Sequence, residues 1–179
     1  MLRRAVFLDR DGVINRSLVR NGRPYAPIVV EEFEIYPSVP KSISVLKELG
    51  FLVIVVTNQP DIATGLQSQA FLDLIHNRLL DTCQIDEIKV CPHTDSHGCS
   101  CRKPSPGMLI ESSVDWGIDL SESYLVGDRW RDIAAGQAAG CRQVFFIDYG
   151  YQDKRPNPPY TSIDSLDQCV QIIEKNVFI

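Results

Sequence analysis

The chain has 179 residues, 44% of them hydrophobic and 23% charged, with a formal net charge of −5. That size suits one domain, 1–179, whose apolar core needs neither disulfides nor a partner chain, so a monomer is expected. The acidic balance argues against nucleic acid as a partner, the apolar stretch after Met1-Leu2-Arg3-Arg4 is too short for a signal peptide, and no run approaches the ~18 apolar residues of a membrane span, so a cytoplasmic protein that does not engage a membrane is expected.

A first strand is expected over residues 5–8, an apolar run that ends abruptly in Asp9-Arg10-Asp11-Gly12. Residues 15–37 form a long connection, in which Asn21-Gly22 suggests a turn or small hairpin projecting over the sheet's end. Ser38 is placed to cap a helix that carries Val39, Ile43, Leu46 and Leu49 on one stripe and closes at Gly50. Residues 51–57 are a continuous apolar, β-branched run of the type buried on both faces of a parallel sheet. Ser68 is placed to cap a second helix carrying Phe71, Leu72, Ile75 and Leu79. Residues 85–91 form a strand that mixes charges with apolar residues, and Ser105-Pro106 opens a helix that runs to about Trp116-Gly117. Strands over 124–126 and 144–147 flank a helix over 130–139 that ends at Gly140. An irregular loop with three prolines spans 153–159, and a last helix spans 165–176.

Strands alternating with helices imply right-handed crossovers and a doubly wound α/β domain with a parallel sheet covered on both faces. Such sheets bind ligands in the crevice outside the carboxyl ends of their strands, where Asp9, Thr57, Cys91, Gly127 and Asp128 are all expected. The motifs therefore converge. Asp9 and Asp11 repel each other unless a cation, a proton or a cationic side chain compensates them. Together with Thr57-Asn58, Lys103, and Gly127-Asp128 followed by Asp132, they supply what a phosphate site needs. One carboxylate can attack phosphorus, a second can move protons and a third can hold Mg²⁺, while Thr, backbone amides and Lys neutralise phosphoryl oxygens. Each piece alone is weak, since an acid pair at a strand end is also a common capped turn and a lone Lys is usually a solvated surface charge.

Through Asp9-x-Asp11-Gly12, Thr57-Asn58, Lys103 and Gly127-Asp128-x3-Asp132 the chain resembles the haloacid dehalogenase (HAD) superfamily of phosphotransferases. The strings from Phe7 to Asn15, Thr57-Asn58-Gln59 and Arg102-Lys103-Pro104-x-Pro106-Gly107-Met108 narrow the resemblance to the heptose-1,7-bisphosphate 7-phosphatases and the related histidinol-phosphate phosphatases. The resemblance implies a HAD-like, Rossmannoid single domain without a large cap, covered only by loops. It implies Asp9 as nucleophile, Asp11 as general acid and base, and Lys103 with Thr57 against the transferring group's charge. Mg²⁺ would join Asp9, the Asp11 carbonyl and Asp128, and Asn58, Gln59, Arg102 and Arg129 would contact substrate. Asp132 orients the metal waters or Lys103, or is simply a favourable acid in a helix's first turn. The implied substrate is a small phosphorylated sugar, heptose bisphosphate at position 7, with histidinol phosphate as the alternative. A phospho-receiver signalling domain also uses acids, Thr and Lys at sheet ends, but its phosphorylated aspartate normally follows the third strand rather than the first.

Cys91-x-His93 and Cys99-x-Cys101 offer four soft or borderline ligands on one loop, and four protein ligands close a zinc sphere, making the Zn²⁺ structural rather than catalytic. The family resemblance includes such a loop; a redox or merely buried cysteine cluster is the other reading. His97 is an alternative to His93 and fits the motif less well, His76 carries no signal, and Cys83, Cys141 and Cys169 read as small core residues. One departure stands out: Pro60-Asp61 occupies the place where the subfamily has Ser-Gly. Pro60 removes a backbone donor and Asp61 adds negative charge near an anionic ligand, which leaves the chemistry intact and bears on the substrate.

Overall fold

In the computed structural model, which describes residues 2–177, the chain forms in order β1 (Arg4–Leu8), β2 (Leu18–Arg20), β3 (Arg23–Tyr25), α1 (Val39–Glu48), β4 (Phe51–Asn58), α2 (Asp61–Thr64) and α3 (Gln69–Thr82). There follow β5 (Glu87–Cys91), α4 (Gly107–Trp116), β6 (Tyr124–Gly127), α5 (Trp130–Ala139), β7 (Gln143–Ile147), β8 (Thr161–Ile163) and α6 (Leu166–Val177). Six strands form one sheet, ordered β5-β4-β1-β6-β7-β8 and parallel throughout. The chain steps outward from β1 to β4 and β5, then returns to β6 on the other side, so the crevice outside β1 is the switch point of the doubly wound topology.

Alternation along β1 and β4 sends successive side chains to opposite faces, and both faces are dry. Val6, Leu8, Val53 and Val55 pack with α1, α3 and α6 through Ile43, Leu46, Ile75, Leu79 and Ile173. Phe7, Leu52, Ile54 and Val56 pack with α4 and α5 through Met108, Leu109 and Ile133. Each such side chain contributes roughly 1.5–3 kcal/mol on burial, which anchors the strand ends that carry the polar residues. No helix among the described residues is long and apolar enough to cross a membrane.

The expected elements are present, with local differences that have physical causes. Ser68 caps α3 as expected, its hydroxyl accepting from the Phe71 N–H at 3.1 Å. Ser38 precedes α1 without capping it through its side chain. Pro40, at the second helical position, lacks an N–H that a capping hydroxyl would bind. The strand expected from residue 85 begins at Glu87, because the Asp86 carboxylate turns back to accept from the Val53 N–H at 2.8 Å and from Lys47 Nζ at 2.7 Å. The Asn21-Gly22 turn does form a hairpin, joining β2 to β3, with both residues at positive φ. Edge strand β8 and the single turn α2 carry no periodic signal at their lengths of three and four residues.

Candidate active site

At the carboxyl end of β1 the chain must turn sharply, and Gly12 takes φ +86° to do so. The glycine is also required by contact: a Cβ there would lie 1.9 Å from Asp128 Oδ2. Gly127 makes the matching approach on β6, where a Cβ would lie 2.1 Å from the Asp132 Cβ. These two glycines let the β1 and β6 tips bring Asp9, Asp128 and Asp132 together, with one carboxylate oxygen from each within 4.8 Å of the others.

Lys103 is the cation among them. Its Nζ donates to Asp9 Oδ1 at 2.9 Å and to the Val56 carbonyl at 2.7 Å, and pairs with Asp132 Oδ1 at 2.6 Å, with only 2% of the residue exposed. Burial opposes its charge, but Asp132 and Asp9 outweigh that and hold the ammonium above its ordinary value. Asp9 is pushed up to about 7, by burial first and then by the Asp132 charge, with Lys103 acting in the opposite direction. Asp128 is raised well above the carboxylate range by burial and by the charges of Asp9 and Asp132. Tyr151 approaches Asp128 without reaching hydrogen-bonding geometry, and both buried Asp128 oxygens lack a partner among the described residues. Asp132 spends its other oxygen on the Arg129 N–H at 2.9 Å, satisfying a backbone donor at the start of α5. An all-oxygen donor set with two orphaned, crowded carboxylate oxygens fits a hard divalent cation such as Mg²⁺ beside Asp9 and Asp128.

Asp11 points into a second network. It accepts from the Arg10 guanidinium through both oxygens (3.1 and 3.0 Å), from Asn15 Nδ2 at 2.9 Å and from Gln59 Nε2 at 2.8 Å. Arg10 is fully buried, and its other nitrogen meets His76 Nε2 at 3.0 Å. His76 is lowered to about 4 by burial and by the adjacent Arg10, so its neutral ring accepts from the guanidinium. The histidine without a sequence signal thus supports the acid loop from α3. Gln59 also donates to Thr57 Oγ1 at 2.8 Å, which leaves the threonine proton free for another acceptor. Asn58 and Lys103 exchange amide and backbone bonds, Nδ2 to the Lys103 carbonyl at 3.0 Å and the Lys103 N–H to Oδ1 at 3.1 Å.

A cavity of about 260 Å³ opens above these groups, lined by Asp9, Asp11, Lys103 and Asp128 below and by Pro24, Tyr25 and Ala26 of the hairpin segment above. Asn58, Arg102, Arg129 and Asp61 line it as well. Gln59 does not, being fully buried as a bridge between Thr57 and Asp11. Arg129 reaches the cavity with its guanidinium already engaged by Asp153, at 2.8 and 2.6 Å. Sequence reasoning missed Arg131, which lines the same cavity. Asp95 holds Arg102 at 2.7 Å and Arg131 at 3.1 and 3.2 Å, so two guanidiniums share one carboxylate at the rim. Only the spacing of Arg131 from Asp128 could have drawn attention to it.

The loop that carries Asp95 also carries the cysteine cluster. Cys91 Sγ lies 3.1 Å from Cys101 and 3.6 Å from Cys99, Cys101 lies 3.4 Å from Cys99, and His93 Nδ1 lies 3.4 Å from Cys101 Sγ. All six cysteines are free thiols, and these separations approach the roughly 3.8 Å edge of a tetrahedron with ~2.3 Å metal–sulfur bonds. The four donors fit zinc. His97 instead binds Thr94, accepting from its N–H at 3.2 Å. Cys83 and Cys169 are buried in the core, and Cys141 is half-buried against it.

A family model for HAD-hydrolase-like proteins matches residues 100–166. The chain is 33% identical over 183 residues to the D-glycero-alpha-D-manno-heptose-1,7-bisphosphate 7-phosphatase of Photorhabdus laumondii, covering 96% of this chain and 97% of that one. It is 38% identical over 149 residues to the corresponding beta-heptose enzyme of Pseudomonas aeruginosa, covering 80% and 81%. In structure it is similar to the D,D-heptose 1,7-bisphosphate phosphatase of B. bronchiseptica, solved with magnesium and phosphate, with a TM-score of 0.83 at 28% identity over 97% of this chain and 99% of that one.

Proposed function

Because the chain belongs to the HAD-like phosphatases, in the family of the heptose-1,7-bisphosphate 7-phosphatases, we propose that it removes the 7-phosphate of D-glycero-D-manno-heptose 1,7-bisphosphate through an aspartyl-phosphate on Asp9. One observation carries the substrate class: the cavity has two separate cationic places, Lys103 on its floor beside Asp9 and the Arg102–Arg131 pair at its rim. A bisphosphate has one anionic group for each.

An Asp9 carboxylate oxygen attacks phosphorus while the ester P–O bond breaks, and Asp11 gives the departing alkoxide its proton. Asp11, then a carboxylate held by Arg10, Asn15 and Gln59, takes a proton from water, whose oxygen attacks the phosphorus and releases Asp9 and inorganic phosphate. Lys103 offsets charge on the transferring group, and the Thr57 hydroxyl donates to it. Asp9, the Asp11 carbonyl and Asp128 would hold Mg²⁺, which would supply further charge neutralisation. Zn²⁺ on Cys91, His93, Cys99 and Cys101 would fix the loop that presents Asp95 and Arg102. Histidinol phosphate is a second reading, favoured by Asp61, an acid at the cavity wall that suits an ammonium better than a second phosphate.

The test is hydrolysis of both heptose bisphosphate anomers and of histidinol phosphate by the Mg²⁺-loaded protein. A heptose bisphosphate is expected to exceed histidinol phosphate in kcat/KM by roughly 100-fold, the scale of one well-placed charge-assisted contact pair. Preference for histidinol phosphate would overturn the substrate, and no hydrolysis of either would overturn the reaction.

A further inference from the structure

We propose that Tyr149 is a positioning residue for the metal-binding carbonyl of the acid loop, an inference that rests on the Mg²⁺ reading above. The loop after β7 carries Tyr149 across the β6 tip, where its hydroxyl donates to the Gly12 carbonyl at 2.9 Å. The Gly12 N–H is fixed as well, donating to the Asn15 carbonyl at 2.7 Å. Asn15 thus fixes the amide of the Asp11–Gly12 peptide and Tyr149 fixes the carbonyl of the next one, so both Gly12 torsions are restrained and with them the Asp11 carbonyl proposed to face the metal.

Free rotation is the hazard the bond removes. Gly12 sits at positive φ without a side chain, so its own energetics allow many backbone orientations. It also lies against Asp128, whose two buried oxygens have no other partner. A swing of this glycine would therefore misplace one oxygen ligand and crowd another. Tyr36 fixes the proton's direction: its hydroxyl lies 3.1 Å from that of Tyr149, so with Tyr149 donating to Gly12, Tyr36 donates to Tyr149. The Tyr149 ring packs on Tyr151, with centroids 5.5 Å apart, and this contact survives removal of the hydroxyl.

Tyr149→Phe removes only the hydroxyl of a half-exposed ring. The Mg²⁺ dissociation constant, measured by calorimetry without substrate, is expected to rise about 5- to 10-fold, the equivalent of one hydrogen bond. The KM for substrate at saturating Mg²⁺ should stay within a factor of two, and Tyr36→Phe should bind Mg²⁺ nearly as the parent does. Unchanged Mg²⁺ affinity in Tyr149→Phe overturns the anchor alone. A parent protein that binds no Mg²⁺ overturns the metal reading and the anchor with it. Should Tyr149→Phe lose its fold, Tyr149→Leu, which also lacks the donating hydroxyl, carries the same Mg²⁺-binding readout, and parent-like affinity there overturns the anchor.

Discussion

Lys103 sets its ammonium 2.9 Å from a carboxylate oxygen of Asp9, across 94 positions of sequence and with both groups buried. Removing one partner of such a pair leaves the other as an uncompensated buried charge, which costs about 3–5 kcal/mol. Lys103→Met is therefore expected to unfold at lower urea by that amount in metal-free protein. It should also lose roughly 10²–10³-fold in kcat, the scale of one transition-state charge contact. Unchanged urea stability would show that Asp9 and Asp132 do not depend on the ammonium.

Asp9→Asn should end turnover while leaving the fold intact, since the amide is a poor nucleophile of nearly equal volume. Its stability should respond to pH with a definite sign. The Asp9 carboxyl rises from 3.8 to about 7 on folding, so its contribution is fully present below pH 4 and is lost as pH rises through 7. In chelator, the parent protein should therefore lose melting temperature between pH 5 and pH 8 relative to Asp9→Asn. Parallel melting curves at the two pH values would remove Asp9 as the strained acid.

Replacement of Cys99 by Ser takes one donor from the four-ligand cluster. Bound zinc, counted by elemental analysis, should fall from one per chain to well below it. Because Asp95 lies on the same loop and holds Arg102 and Arg131, KM for a bisphosphate should rise more than kcat falls. Full zinc content in the variant would exclude the cluster as the binding site.

Arg131→Met removes one arm of the rim pair without touching Asp9 or Lys103. KM for the bisphosphate is expected to rise about 10-fold, as loss of a charge-assisted contact implies, with kcat nearly constant. Hydrolysis of a simple aryl monophosphate should be unchanged. An equal loss on both substrates would place Arg131 with the reacting phosphoryl group.

Much of the floor was legible because its residues sit at the ends of strongly patterned strands: Asp9 after β1, Thr57 in β4, Asp128 after β6. Apolar runs reveal such strands, and the sheet rule says where their ends meet. His76, Asp95 and Tyr149 were not legible. Each acts across a long span, on Arg10, Arg131 and the Gly12 carbonyl, and depends on how a helix or loop lands rather than on any local period. The missed capping at Ser38 has a local cause that can be read from residue types, since Pro40 removes the donor. The hairpin at Asn21-Gly22 was legible for the converse reason, its residues tolerating positive φ.

The sharing of Asp95 by Arg102 and Arg131 divides the molecule into parts that can change independently. Asp95 is largely solvent-exposed, and surface ion pairs of this kind contribute only about 0–1 kcal/mol to stability. The floor, by contrast, is buried, and stripping one charge from its Lys103–Asp9 pair costs about 3–5 kcal/mol. Replacement of Asp95 or Arg131 would thus redirect the cavity toward a ligand of different charge at almost no loss of folding free energy, so a lineage could exchange substrates by editing the rim while inheriting its chemistry unaltered.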